Sequence, residues 1–143
     1  MAVMLASAVP AAAQSNIAVD RLLEQEKATI ADAAYLVLAA SNIVAEDGTQ
    51  ATVMAALSER KLLQNTRSAS DPISLGEVSY LIMQTLGIRG GLLYAVFPGP
   101  RYAARELASL RLIPGNAHPS RTVSGREVMH ILGGALELKG GSR

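Results

Sequence analysis

The sequence predicts an all-α fold: a bundle of about six helices in three helix-loop-helix repeats. Three observations predict it. First, residues 57–91 align with 107–141 without a gap. Leu57/Leu107, Leu62/Leu112, Ser70/Ser120, Ser74/Ser124, Glu77/Glu127, Val78/Val128 and Leu86/Leu136 are identical, and Leu63/Ile113, Ile73/Val123, Leu81/Ile131 and Ile82/Leu132 stay aliphatic. An ungapped internal match marks a repeat architecture. Second, each copy carries a complete helix-start signal. Ser74 and Ser124 stand at N-cap with Glu77 and Glu127 three residues on, the spacing of a capping box, and Ile73/Val78 and Val123/Val128 can form hydrophobic staples. Third, a degenerate copy lies upstream, where Thr29, Ile30, Ala31 and Asp32 open a helix as Ser74, Leu75, Gly76 and Glu77 do.

Residues 17–27 read as a short amphipathic helix with Val19, Leu22 and Leu23 on one side. Residues 33–44 are apolar almost all round, which places that helix at the centre of its domain. Asn42 aligns with Gly87 at a helix end, where asparagine and glycine tolerate the left-handed conformation. Residues 49–63 predict a third helix, with Val53, Met54, Leu57 and Leu62 inward. After a polar loop, the capped helix over 78–88 presents Val78, Leu81, Ile82 and Leu86 on one face. Residues 89–100 are the least repetitive stretch. Leu92, Leu93, Val96 and Phe97 predict an extended or turn-rich connector laid against the core. Pro100 suits the first turn of a helix over 100–113. Asn65 and Gly115 hold equivalent turn positions that accept positive φ. The last helix opens after Ser124 and, with Glu137 where Gly87 stands in the preceding copy, runs on to Gly140.

The 143 residues suit one domain over 14–143, with repeats at about 17–48, 49–91 and 92–141. Half are apolar, 17% are charged and 3% are aromatic, so the core is aliphatic and alanine-rich. The net charge of +1 is uneven. Residues 1–72 carry five basic and eight acidic residues, and 73–143 carry eight basic and four acidic. The basic half is too weak for nucleic acid but favours an anionic partner. There is no cysteine, which excludes disulfides, thiolate metal sites and thiol nucleophiles. Residues 1–13 form a short apolar run ending in Ala11, Ala12 and Ala13, the small-residue pattern of a signal-peptidase site. This predicts an exported chain of the periplasm or envelope, and no later stretch is long and apolar enough to span a membrane.

The stretch from Tyr102 through Ala103, Ala104, Arg105, Glu106 and Leu107 to Gly115, with Val123, Ser124, Gly125, Arg126, Glu127 and Val128, resembles an S-layer homology repeat. Phe97 resembles that family's leading phenylalanine. The resemblance implies three repeats in a pseudo-threefold bundle that docks to cell-wall polysaccharide through grooves between repeats. The family's box arginine, implicated in anionic glycan binding, falls at Ile30, Leu75 and Gly125, none of which is arginine, and Pro98 stands where the family has aspartate.

Glu77 and Glu127 invite a two-carboxylate glycosidase reading, but their capping positions already account for them. Ser74 and Ser124 are caps without a nucleophile elbow. His118 and His130 lack metal-ligand spacing, and no carboxylate-rich loop suggests calcium. No metal or cofactor is expected. Arg101, Arg105, Arg121 and Arg126 gather in the last repeat beside Tyr94 and Tyr102. Arginine recognises carboxylate and phosphate through paired hydrogen bonds and stacks on aromatic faces. The expected ligand site is therefore Arg101, Tyr102, Arg105, Arg126, Tyr94 and His130, around a groove between the last two helices. The function expected is a non-enzymatic envelope module binding a wall polysaccharide or an envelope partner. The alternatives are a protein-interaction module without glycan affinity, and a hydrolase built on Glu127, His130 and Ser124.

Overall fold

A computed structural model describes residues 11–63 and 67–141. Seven helices stand among them: α1 (Ala11–Leu23), α2 (Ile30–Ala40), α3 (Gln50–Glu59), α4 (Leu75–Leu86), α5 (Leu92–Val96), α6 (Pro100–Ser109) and α7 (Gly125–Gly141). No strand occurs among the described residues, only isolated bridges at Thr29–Pro72 and Ser74–Thr122. The all-α expectation holds. The export signal expected at 1–13 falls, as far as residue 10, outside the described residues, and so does the turn expected at Asn65.

Local chemistry sets the helix starts. The Ser74 hydroxyl accepts from the Glu77 N–H (3.1 Å) while the Glu77 carboxylate accepts from the Ser74 N–H (3.0 Å), a complete capping box. The Ser124 hydroxyl accepts from the Glu127 N–H (3.1 Å), and Thr29 accepts from the Asp32 N–H (3.3 Å). Helix α3 gains the same device from Thr49, which accepts from the Thr52 N–H (3.3 Å).

The helix ends depart from expectation. Helices α3 and α6 stop at Glu59 and Ser109, four residues short of the expected limits. Lys61 (φ 52°) and Arg111 (φ 60°) then take the left-handed conformation. The Leu62 N–H donates to the Leu57 carbonyl and the Leu112 N–H to the Leu107 carbonyl, each at 3.0 Å. This is the six-to-one bond of a Schellman end, with an apolar pair across it. Asn42 (φ 59°) and Gly87 (φ 64°) end α2 and α4 in the same conformation, as the alignment predicts.

Helices α2, α4 and α7 contact one another at the centre, and Ile30, Val37, Leu38, Leu75, Leu81, Ile82 and Ile131 are fully enclosed among them. Helix α3 lies on α2, α6 lies on α4, and α1 lies on α2 and α7. The free N–H groups at the central helix starts find carbonyls on neighbouring loops. Ile30 and Ala31 donate to Asp71 and Ala69, Leu75 and Gly76 donate to Arg121 and Pro119, and Gly125 donates to Gln25, all at 2.8–3.0 Å. These bonds satisfy donors that a helix cannot satisfy internally.

The connector over 89–100 is a correction. Its middle coils into α5, and only Tyr94 of that helix is buried. Leu92, Leu93, Val96 and Phe97 face solvent instead of the core, because Tyr94 occupies the inner side of so short a turn.

Candidate functional site

A groove of about 1220 Å³ opens where the end of α3, the start of α4, the α5–α6 junction and the α6–α7 loop meet. Its apolar lining is Leu62, Leu63, Val96, Phe97 and four prolines, Pro72, Pro98, Pro100 and Pro119. Phe97 and Tyr102 stack with centroids 6.3 Å apart and planes inclined by 30°. The Arg101 guanidinium stands over the Tyr102 ring at 6.0 Å, within reach of a cation–π contact. Pro100 starts α6 and aims the next two side chains here. Its fixed φ suits the first helical position.

The groove also carries polar groups of two kinds. Glu77 is fully committed: its carboxylate accepts two bonds from Arg67 Nη1, both at 3.0 Å, besides the Ser74 N–H. Arg67 also donates to the Pro72 carbonyl (2.8 Å), so this pair is structural. His118 is available. Its Nδ1 accepts from the Ser120 N–H (3.2 Å), so in the neutral ring the proton sits on Nε2, free to donate. An Asx bond from the His118 N–H to Asn116 Oδ1 (2.9 Å) fixes the loop. Ser120 and Thr122 line the groove as well.

Of the six residues the sequence nominates, the groove gathers Arg101 and Tyr102. Arg105 is exposed further along α6, while Arg126 and His130 are exposed on α7, and none of the three lines the groove. Helices α6 and α7 have no close backbone approach, because α6 lies on α4, and Arg101 and Tyr102 gather at the start of α4 instead. Tyr94 is buried, and its hydroxyl accepts from Gln84 Nε2 (2.7 Å). Phe97 and His118 are among the groove residues that the sequence reading of the site omits. Phe97 was detectable only as the aromatic that leads the last repeat, and His118 only as a histidine beside a proline in its loop.

Burial raises the Tyr94 phenol above the ordinary tyrosine value, the Gln84 bond lowers it, and Tyr80 raises it. Burial also raises Tyr35, with Glu46 and Asp47 adding to it. Tyrosine ionises near pH 10 in the unfolded chain and higher in the folded one. Their contribution to stability is therefore intact below about pH 10 and lost as pH climbs toward the folded values. The urea midpoint should fall above about pH 10, and more gently in Tyr94→Phe. Equal slopes in the two proteins would show that Tyr94 ionises freely when folded.

The second carboxylate is committed too. Arg121 grips Glu127 through Nη1–Oε1 (2.8 Å) and Nη2–Oε2 (2.6 Å). That hydrogen bond raises the Arg121 pKa, burial lowers it, and the charge of Glu127 raises it further. Arg21 pairs with Asp32 at 2.8 Å. Arginine thus clasps the acidic residue in the first turn of α2, α4 and α7 alike. The positions aligned with the family's box arginine are closed: Ile30 and Leu75 are fully buried, and a Cβ on Gly125 would stand 1.6 Å from the Leu22 carbonyl oxygen. Among the described residues, no cluster of three or more histidine, aspartate or glutamate side chains could hold a metal ion. Comparison with protein-family models, curated proteins and solved structures gives no match for this chain.

Proposed function

We propose that this chain is a non-enzymatic module of the cell envelope that binds a wall polysaccharide through the groove of Phe97, Arg101, Tyr102 and His118. One observation carries the reading. A stacked aromatic pair with an arginine over it lies in an open groove that His118, Ser120 and Thr122 also line. Sugar rings present C–H faces to aromatics and hydroxyls or carboxylates to such donors, and arginine adds paired hydrogen bonds to any acidic substituent. The binding reading is preferred to a hydrolase on Glu127 because both carboxylates are held by arginine, Glu77 by Arg67 and Glu127 by Arg121, and Glu77 also accepts from the Ser74 N–H. An envelope protein is the second reading, favoured by the exposed apolar residues of α5 at the groove rim.

The architecture we propose is three helix-loop-helix repeats around a pseudo-threefold axis, as in the S-layer homology repeat the sequence resembles. The helix-start bonds support it, since they run from α2 to the loop before α4, from α4 to the loop before α7, and from α7 to the segment before α2. The outer helices support it as well, because α3, α6 and α1 lie on α2, α4 and α7 in turn. Export rests on the apolar run at 1–13.

Purified cell-wall sacculi should retain the chain, less strongly as salt rises, because exposed charges are screened over about 8–10 Å. Phe97→Ala with Arg101→Ala should weaken retention about tenfold with little change in melting, since both residues are exposed and each lost contact is worth about 0.5–1.5 kcal/mol. Arg105→Ala with Arg126→Ala, both outside the groove, should change it far less. Full, salt-insensitive retention by the folded Phe97/Arg101 variant would sink the groove as the site.

A further inference from the structure

We propose that the ridge formed by α5 and Phe97, which shares Val96 and Phe97 with the groove rim, docks on an anionic lipid bilayer. Leu92 is 80% exposed, Leu93 50%, Val96 58% and Phe97 60%. Four large apolar side chains within six residues, all turned to water, are more than scattered surface hydrophobes. The ridge is one short helix against α6, between Gly90 and Gly91 on one side and Pro98, Gly99 and Pro100 on the other. An exposed apolar ridge of this kind suits a partner that yields around it.

Charge narrows the choice. Residues 78–105 contain Arg89, Arg101 and Arg105, all exposed, and no aspartate or glutamate. Arg101 reaches the ridge through the Tyr102 ring that stacks on Phe97. The carboxylate at hand is Glu106, partly buried against the Gly91 backbone, where an added Cβ would lie 2.9 Å from its Oε1. Two copies meeting ridge to ridge would bring like charges together with little to offset them. An anionic bilayer supplies both needs. The apolar side chains enter the boundary between headgroups and acyl chains, while the arginines extend to the headgroups. None of this requires a spanning helix, and no helix among the described residues is long and apolar enough to be one.

The chain has no tryptophan, so Leu93→Trp supplies a single reporter. Its emission should shift to the blue with phosphatidylglycerol-containing vesicles and stay unchanged with phosphatidylcholine alone. Leu92→Ser with Leu93→Ser should reduce vesicle co-sedimentation by about tenfold or more. Neither residue lines the groove, so melting and sacculus retention should stay as they are. Arg89→Gln should weaken vesicle binding about fivefold, as added salt should. Three results would overturn the proposal: no sedimentation with anionic vesicles at low salt, equal binding to neutral ones, or a dimer of the parent chain that the double serine variant abolishes. The last would assign the ridge to a second copy. Sacculus retention reads the groove separately, so either reading can fail without the other.

Discussion

Gly125→Ala is expected to destabilise the protein by about 3 kcal/mol or more, the upper range for overpacking a tight contact. Intrinsic helix preference argues the opposite way. Gly125 begins α7 with an ordinary helical φ, and alanine is the better helix former by up to about 1 kcal/mol. Steric contact decides the sign. An added Cβ would lie 1.6 Å from the Leu22 carbonyl oxygen and 2.4 Å from its carbonyl carbon. These are backbone atoms, so no rotamer change relieves the overlap. The end of α1 has to move off the start of α7, which also strains the bond from the Gly125 N–H to the Gln25 carbonyl (2.9 Å). Gly133→Ala on the same helix is the control. Nothing lies within 4 Å of a Cβ there, and the same substitution should stabilise by about 0.5–1 kcal/mol. Chemical denaturation of the two variants beside the parent chain tests the contrast. A Gly125→Ala protein as stable as the parent would mean that α1 is not seated on α7.

The sequence made the helix starts legible because capping chemistry is local. Ser74, Ser124 and Thr29 act within three residues of themselves, and their N-cap bonds form as the spacing indicates, but only Glu77 closes its box, since the Glu127 carboxylate turns to Arg121. The ends of α3 and α6 were harder to read. Each turns on a basic residue with positive φ, Lys61 or Arg111, where glycine or asparagine is the usual signal. Their pairing across the internal match was the available clue. The arginine clasps on Asp32, Glu77 and Glu127 left no periodic trace, since Arg21, Arg67 and Arg121 precede their partners by eleven, ten and six residues.

The groove was half legible for a tertiary reason. Helices that follow each other in a chain are often neighbours in space. That expectation joined α6 to α7, and so Arg101 and Arg105 to Arg126 and His130. In the fold α6 crosses to α4, which leaves Arg126 and His130 elsewhere and turns Arg101 and Tyr102 toward the start of α4 and the 118–122 loop. Tyr94 read as a ligand-facing aromatic, but it is the residue that holds α5 down. The apolar neighbours it leaves in solvent could not be told from core residues by composition alone.

Leu22→Ala should cost about 2–5 kcal/mol, the range for deleting most of a buried leucine side chain. Leu22 is fully buried, whereas Ala18, Val19 and Leu23 on the same helix are only partly so. It is therefore the main apolar anchor holding α1 to α2 and α7. If α1 is integral to the bundle, the loss spreads to the whole domain, and a cost of about 3 kcal/mol lowers Tm by about 10 °C in a chain of this size. Were α1 an appendage, the same change would free residues 11–23 to proteolysis and hydrogen exchange while Tm stayed put. The first outcome is expected, because α1 shields the start of α7 and Gln25 satisfies its first backbone donor. Adding Leu22→Ala to Gly125→Ala should not rescue the latter, since the overlapping atoms belong to the Leu22 backbone, which alanine retains. Rescue by the double substitution would place the conflict in the leucine side chain, whose Cγ stands 3.0 Å from the added Cβ, and would show that the backbones of α1 and α7 have room to part.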